Sequence, residues 1–163
     1  MTQEDALRIF DYRDGTLYWR ERDDVLKRWN SKHAGKQAGC PSGHGYIKVR
    51  FSGRSYYVHQ IVFLMHHGYI PVVVDHIDCN TGNNDIGNLR AASKSFNGMN
   101  RDKPKSNTSG VKGVVWHKGG SKWMARVTVA GRDIYLGLYA DFADAVNAAN
   151  AARIEKHGDF ARI

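Results

Sequence analysis

Residues 74–90 read VDHIDCNTGNNDIGNLR, and they follow Val72 and Val73, so an apolar run ends in Asp75 and His76. Such a run reads as a short strand with polar residues at its end. A histidine beside a carboxylate sets a candidate general base next to a candidate metal ligand. Asp78, Asn80, Asn83, Asn84 and Asn88 come next, and Asn97 stands nine residues beyond Asn88. Their amides supply neutral oxygen donors and fix loops. Hydrolysis of a phosphodiester asks for this combination: one group deprotonates water, and a hard cation held by oxygens stabilises the charge on phosphorus and on the leaving alkoxide. Taken singly, each residue reads as well as a strand cap or turn former; Asp78, Asn80, Asn83 and Asn84 in particular read as turn residues. The whole spacing points to a metal-dependent nuclease.

Working upstream, Ile47, Val49 and Phe51 alternate with Lys48 and Arg50, Ser52-Gly53 makes a turn, and Tyr56 and Val58 return. This predicts a hairpin with a basic face, to which Lys48, Arg50 and Arg54 belong. Ile61, Val62, Leu64 and Met65 then fall at helical spacing over 59–67, with Gly68 as the stop. His59, His66 and His67 lie on or beside that helix and read as surface or DNA-backbone contacts; His66 and His67, being adjacent, cannot share a face. Nearer the amino terminus, a short helix is expected over Thr2 to Phe10, then a hairpin with Asp14-Gly15 between Tyr12 and Leu17, Tyr18 and Trp19. Residues 20–45, polar, basic and glycine-rich, are expected to be loop. Downstream of the opening stretch the chain returns through Asn88, Leu89 and Arg90, and a short helix is expected to start near Ser93.

From Arg101 to Gly110 no apolar residue occurs, which reads as an exposed linker. Beyond it come three candidate strands, Gly113 to His117, Trp123 to Val129 and Ile134 to Leu138, the last two joined by Ala130-Gly131. Asp141 is a helix N-cap, after which Phe142, Ala145, Val146, Ala149 and Ala152 share one face until Gly158. The expected architecture is α+β. Residues 1–101 hold a hairpin region and a two-strand-and-helix core at about 59–101, 102–110 link, and 111–163 form a three-stranded sheet covered by one helix.

The bulk numbers narrow the partner. With 163 residues and 42% hydrophobic content the chain can bury a core, and 24 Lys+Arg against 16 Asp+Glu give a net charge of +8. Spread along the chain, that excess favours a polyanion, against the bland alternative of an ordinary basic protein. Cys40 and Cys79 form no Cys-x-x-Cys pair, which speaks against a thiolate zinc site or a disulfide framework. No apolar run reaches membrane-spanning length, and the first residues are acidic and polar, so no membrane partner and a cytoplasmic location are expected.

The order Asp75, His76, Asn88, Asn97, with YYVHQIVFLMHHG at 56–68 ahead of it, closely resembles the HNH nucleases, phage members above all. The resemblance implies a ββα-metal core in which His76 is the general base and Asp75 a metal ligand. Asn88 would be the catalytic asparagine that shapes the loop and orients the base, and Asn97 would stand where the family's last histidine does. Phage homing endonucleases share that variant, which implies a single Mg²⁺ or Mn²⁺ on Asp75 and Asn97. Residues 110–157 resemble the APETALA2 and ethylene-response DNA-binding domain, in which the sheet enters the major groove. On that resemblance Lys112, His117, Lys122, Trp123, Arg126, Thr128, Arg132 and Tyr135 fall on or near the DNA-binding strands, although Trp116 and Trp123 could equally pack on the helix. Val115 and Asp133 replace arginines common in the plant members, so the plant sequence preference does not carry over. The combined expectation is a homing-type DNA endonuclease of a phage-infected bacterial cytoplasm, acting as a monomer on double-stranded DNA and nicking one strand. The alternative is a non-catalytic, sequence-specific DNA-binding regulator; an RNA-binding protein would share the charge but not the aromatic pattern.

Overall fold

Helix α1 (Gln3–Ile9) starts at a reciprocal cap: the Asp5 N–H donates to Thr2 Oγ1 at 3.1 Å and the Thr2 N–H to Asp5 Oδ2 at 3.0 Å. The expected hairpin follows, β1 (Phe10–Arg13) pairing antiparallel with β2 (Thr16–Trp19). Its turn takes Asp14 and Gly15 to φ of 44° and 75°, the left-handed pair that a tight hairpin needs. The computed structural model describes residues 1–93 and 107–161, in two compact units, Met1–Ala92 and Ser93–Ile163.

The segment 20–45 is not all loop. It forms α2 (Lys27–His33) and the short β3 (Cys40–Pro41). One side chain accounts for the helix: Trp29 packs edge-on against Trp19 at 5.4 Å and lies 4.8 Å from the Arg22 guanidinium. Asn30 adds to this by bonding the Arg22 backbone in both directions, at 3.2 and 2.6 Å. An element seated on a single aromatic has no apolar period for the sequence to display.

Strands β4 (Ile47–Phe51) and β5 (Arg54–Tyr57) form the second hairpin, and β3 adds to its edge. Helix α3 (Val58–His67) ends at Gly68, whose φ is 78° and whose N–H donates to Leu64 O at 2.9 Å. Val58, His59, Ile61, Val62, Phe63, Leu64 and Met65 are all buried, so α3 is apolar nearly all round, as the central helix of a small unit must be. It packs on α1, β2, β4 and β5. It also carries the last hairpin of this unit, β6 (Val73–His76) with β7 (Leu89–Ala92). Val74 and Leu89 enter the same core as Ile61 and Val62, which fixes the hairpin on the helix. The helix expected near Ser93 lies outside the described residues, as do 101–106 of the expected linker.

In the second unit β8 (Val114–His117), β9 (Lys122–Val129) and β10 (Arg132–Tyr139) form one antiparallel sheet in the order β10-β9-β8. The two strands of the β9–β10 hairpin run longer than their apolar cores suggest. Helix α4 (Phe142–His157) starts on Asp141, whose side chain accepts from the Ala143 N–H at 2.6 Å. Ala145 and Ala149 have no exposed surface and meet Val114 and Ala125, because small side chains let helix and sheet approach closely. The buried face also takes in Arg153, which donates to the Lys112 carbonyl and to Asn150 Oδ1. Residues 107–110, expected as linker, belong to the fold: Ser109 Oγ donates to Val114 O at 2.6 Å, and Asn107 Nδ2 to Val111 O at 2.8 Å. Among the described residues there are four α-helices, and none is long and apolar enough to cross a membrane.

Candidate active site

Strand alternation separates the two residues that the sequence sets side by side. In register, Asp75 lies opposite Arg90 and His76 opposite Leu89. Successive side chains point to opposite faces, so Val74, His76 and Leu89 share the α3 side while Asp75 and Arg90 share the other. Both Asp75 and His76 are buried. Arg90 brings Nε at 2.9 Å and Nη2 at 2.8 Å to the same oxygen, Oδ2, of Asp75. A charge-assisted pair of this kind fixes the orientation of the carboxylate.

His76 Nε2 lies 3.3 Å from Asn84 Oδ1, and Asn84 Nδ2 donates to Gly82 O at 3.2 Å. That second bond sets which way the amide faces, and an acceptor oxygen on Nε2 assigns the proton of the base-form ring to Nε2. Nδ1 is then the nitrogen with the lone pair. Asn84 is only 1% exposed. It was read from sequence as a turn former, and it is the residue that orients the histidine. Asn88, expected to shape the loop and orient the base, bonds within the loop: its Oδ1 accepts from the Asp78 N–H, and its Nδ2 donates to Asp78 Oδ1 and Asn83 O.

Asp78 is the hub of that loop, accepting from the Asn80 N–H at 2.8 Å and Asn83 Nδ2 at 2.8 Å besides Asn88. Burial works to raise its pKa, but the bonds from Asn83, Asn80 and Asn88 outweigh burial and hold the carboxyl below its ordinary value. The loop is pinned from outside by Tyr12, whose hydroxyl accepts from the Ile86 N–H at 3.0 Å. It is also pinned by Gly15, where an added Cβ would stand 2.9 Å from Asp85 N.

His59 is the other residue missed. Expected as a surface or DNA-backbone contact, it is 6% exposed, and its ring meets that of His76 edge to face at 5.0 Å. Tyr57 stacks on it at 5.3 Å and Tyr46 lies 5.4 Å away. Burial, with a smaller effect of nearby His76, pushes its pKa down to about 4. Its place in the first turn of a helix otherwise apolar nearly all round was the signal available in the sequence. His66 and His67 are exposed, as expected.

Asp75 offers a hard oxygen donor of the kind that Mg²⁺ or Mn²⁺ takes. Its expected co-ligand Asn97 lies outside the described residues. Among the described residues no three His, Cys, Asp or Glu side chains come together, and neither Cys40 nor Cys79 is in a disulfide.

Register also sorts the basic residues. On β4, Lys48 and Arg50 pair with Tyr57 and Ser55 on the face away from buried Val49; Arg54, opposite Phe51, is exposed at the turn on the other parity. In the sheet of the second unit, His117, Lys122, Arg126, Thr128, Asp133 and Tyr135 share the face away from α4. Tyr135 there is 61% exposed. Trp123, for which DNA contact and packing on the helix are equal readings of the sequence, faces the other way and packs on Phe142 at 4.7 Å and Trp116 at 5.1 Å. Arg132 sits at the hairpin tip opposite Val129, on the helix-side parity, and Lys112 precedes β8. Arg126 is ion-paired with Asp133 at 2.7 Å, and Thr128 Oγ1 donates to the same carboxylate at 2.5 Å.

Comparison with known proteins matches residues 56–99, which span β5 to β7 and the site, to the HNH endonuclease family. Protein 3.8 of Escherichia phage T7 is 40% identical over 90 residues, 55% of this chain and 74% of that protein. No solved structure gives a significant match. With the Asp75–His76 hairpin inside the matched segment, the chain belongs to the family of phage T7 Protein 3.8 and carries an HNH endonuclease domain at residues 56–99.

Proposed function

We propose that the protein is a metal-dependent DNA endonuclease of the homing type that nicks one strand of a duplex. The observation that carries this reading is the pair built at the end of β6: His76, oriented by Asn84, beside Asp75, oriented by Arg90. In the reaction, His76 Nδ1 takes a proton from water, and the oxygen attacks phosphorus in line as the bond to the 3′ oxygen breaks. Asn84 holds the imidazole in the tautomer and plane that this transfer needs. Asp75 and Asn97 would hold the Mg²⁺ or Mn²⁺ ion, which when bound supplies charge stabilisation for the leaving oxygen. Asn88 and Asp78 keep the loop that carries Asn84 in shape.

Lys48, Arg50 and Arg54 contribute backbone affinity. The exposed sheet face of the second unit, with His117, Lys122, Arg126 and Tyr135, is the proposed reader, joined by Lys112 and Arg132 at its margins. The three-stranded sheet covered by one helix supports that assignment. A supercoiled-plasmid assay tests the whole. Open circles should appear before linear product, with Mg²⁺ or Mn²⁺ and not after EDTA. His76→Ala should lower the rate by about 10²- to 10⁴-fold while DNA affinity stays within a few-fold. Metal-independent cutting, or full activity of His76→Ala, would overturn it.

A further inference from the structure

Three observations meet at the first turn of α3. The helix begins on Tyr57, in extended conformation, and no side chain caps it. The first N–H groups of a helix have no partner inside it and carry the positive end of its dipole. His59 is the second residue of this helix, and helical side chains lean back toward the N-terminus. Its imidazole stacks on the ring of Tyr57, the residue on which the helix begins. It is 6% exposed, and its Nδ1 is buried with no hydrogen-bond partner, a rare condition for a buried polar atom in a folded protein. Finally, the ring lies 5.0 Å from that of His76, and the Lys48 ammonium lies 4.5 Å from the Tyr57 ring that stacks on His59.

We infer that the uncapped first turn of α3, with its His59 imidazole, is a docking site for a backbone phosphate of the DNA strand on which His76 acts. A helix N-terminus receives anions through its backbone N–H groups. An imidazole N–H adds a directed donor, and Lys48 adds charge at the rim. The site rests on the nuclease reading for its substrate, and it extends that reading by giving His59 a share in substrate positioning. A phosphate held there lies beside the general base without any base being read, so the contact fixes register and carries no sequence information.

The test uses the full chain carrying His76→Ala, so that duplex DNA is bound and not cut. In that background His59→Phe, which keeps an aromatic ring against residue 76, should weaken duplex binding by about tenfold to a hundredfold, the range of a hydrogen bond to a charged group. Methylphosphonate replacement, one phosphate at a time, should find a position whose penalty in the parent disappears in His59→Phe. His59→Gln, with an amide donor, should keep part of that penalty, and it carries the test should the Phe variant not fold. Unchanged affinity, or identical methylphosphonate penalties in parent and variants, overturns the docking site. With His76 intact, a fall in kcat at unchanged KM and unchanged affinity also overturns it, since His59 would then only steady His76. The nuclease reading fails separately: loss of affinity in His59→Phe by a protein that never nicks DNA keeps the phosphate site and rejects the nuclease.

Discussion

Acidification should unfold the first unit through one side chain, His59. Buried among Tyr46, Tyr57 and His76, it has a pKa pushed from 6.5 to about 4. The unfolded chain, with an ordinary imidazole, binds the proton first as pH falls, so the neutral form stabilises the native state fully above about 6.5 and progressively less below it. Between pH 7.5 and 4.5 the loss attributable to His59 is roughly 2 to 3 kcal/mol, a large share of the stability of a small unit. The carboxylates held low by hydrogen bonds, Asp5 and Asp78 among them, lose their contribution at lower pH. They are in any case common to both proteins under comparison. Urea unfolding of wild type and His59→Phe across this range, followed by tryptophan fluorescence, should show wild type losing that much more stability than the variant. The His59 ring protons should titrate near 4 by NMR. Parallel pH curves for the two proteins, or a His59 midpoint near 6.5, would refute the burial account.

Asn84→Ala should cut nicking by about tenfold or more with little change in DNA affinity, since it frees the plane of His76; equal kinetics for wild type and variant would remove Asn84 from the site. Asn88→Ala should instead act on the fold, lowering the unfolding midpoint because Asp78 and Asn83 lose their partner, at about 1 kcal/mol or more. On the second unit, Asp133→Asn should release Arg126 and steepen the log–log salt dependence of DNA binding by about 0.9. An unchanged slope would mean that Arg126 does not meet a phosphate.

What was legible in the chain follows from how local each cause is. Three of the hairpins could be read because Asp14-Gly15, Ser52-Gly53 and Ala130-Gly131 separate alternating segments, and each turn adopts the positive φ its residues allow. Helix α4 was legible from Asp141 to Gly158 for the same reason, with its cap, apolar face and stop all close in sequence. The 20–45 segment was not, since α2 depends on Trp29 meeting Trp19 and Arg22, contacts that no window of periodicity contains. The Arg126–Asp133 pair was not legible either, because Asp133, seven residues away in sequence, becomes a neighbour of Arg126 only across the β9–β10 register.

In the candidate site, Asp75 and His76 stand out in the sequence, but the side chains that hold them do not. Asn84 and Asn88 are the same residue type in one polar loop. Which of them faces His76 is decided by the path of the chain through the left-handed Cys79, with φ of 61°, and by the bonds that Asp78 collects. Strand period then imposes a division of labour. Because neighbours on β6 point to opposite faces, no single second element can orient both residues. His76 is steadied from the α3 side by Asn84 and His59, and Asp75 from the other side by Arg90. His76 and Asp75, adjacent in sequence, are thus held separately on the two faces of the hairpin. A change on the α3 side should leave the Asp75–Arg90 pair in place while it disturbs the base.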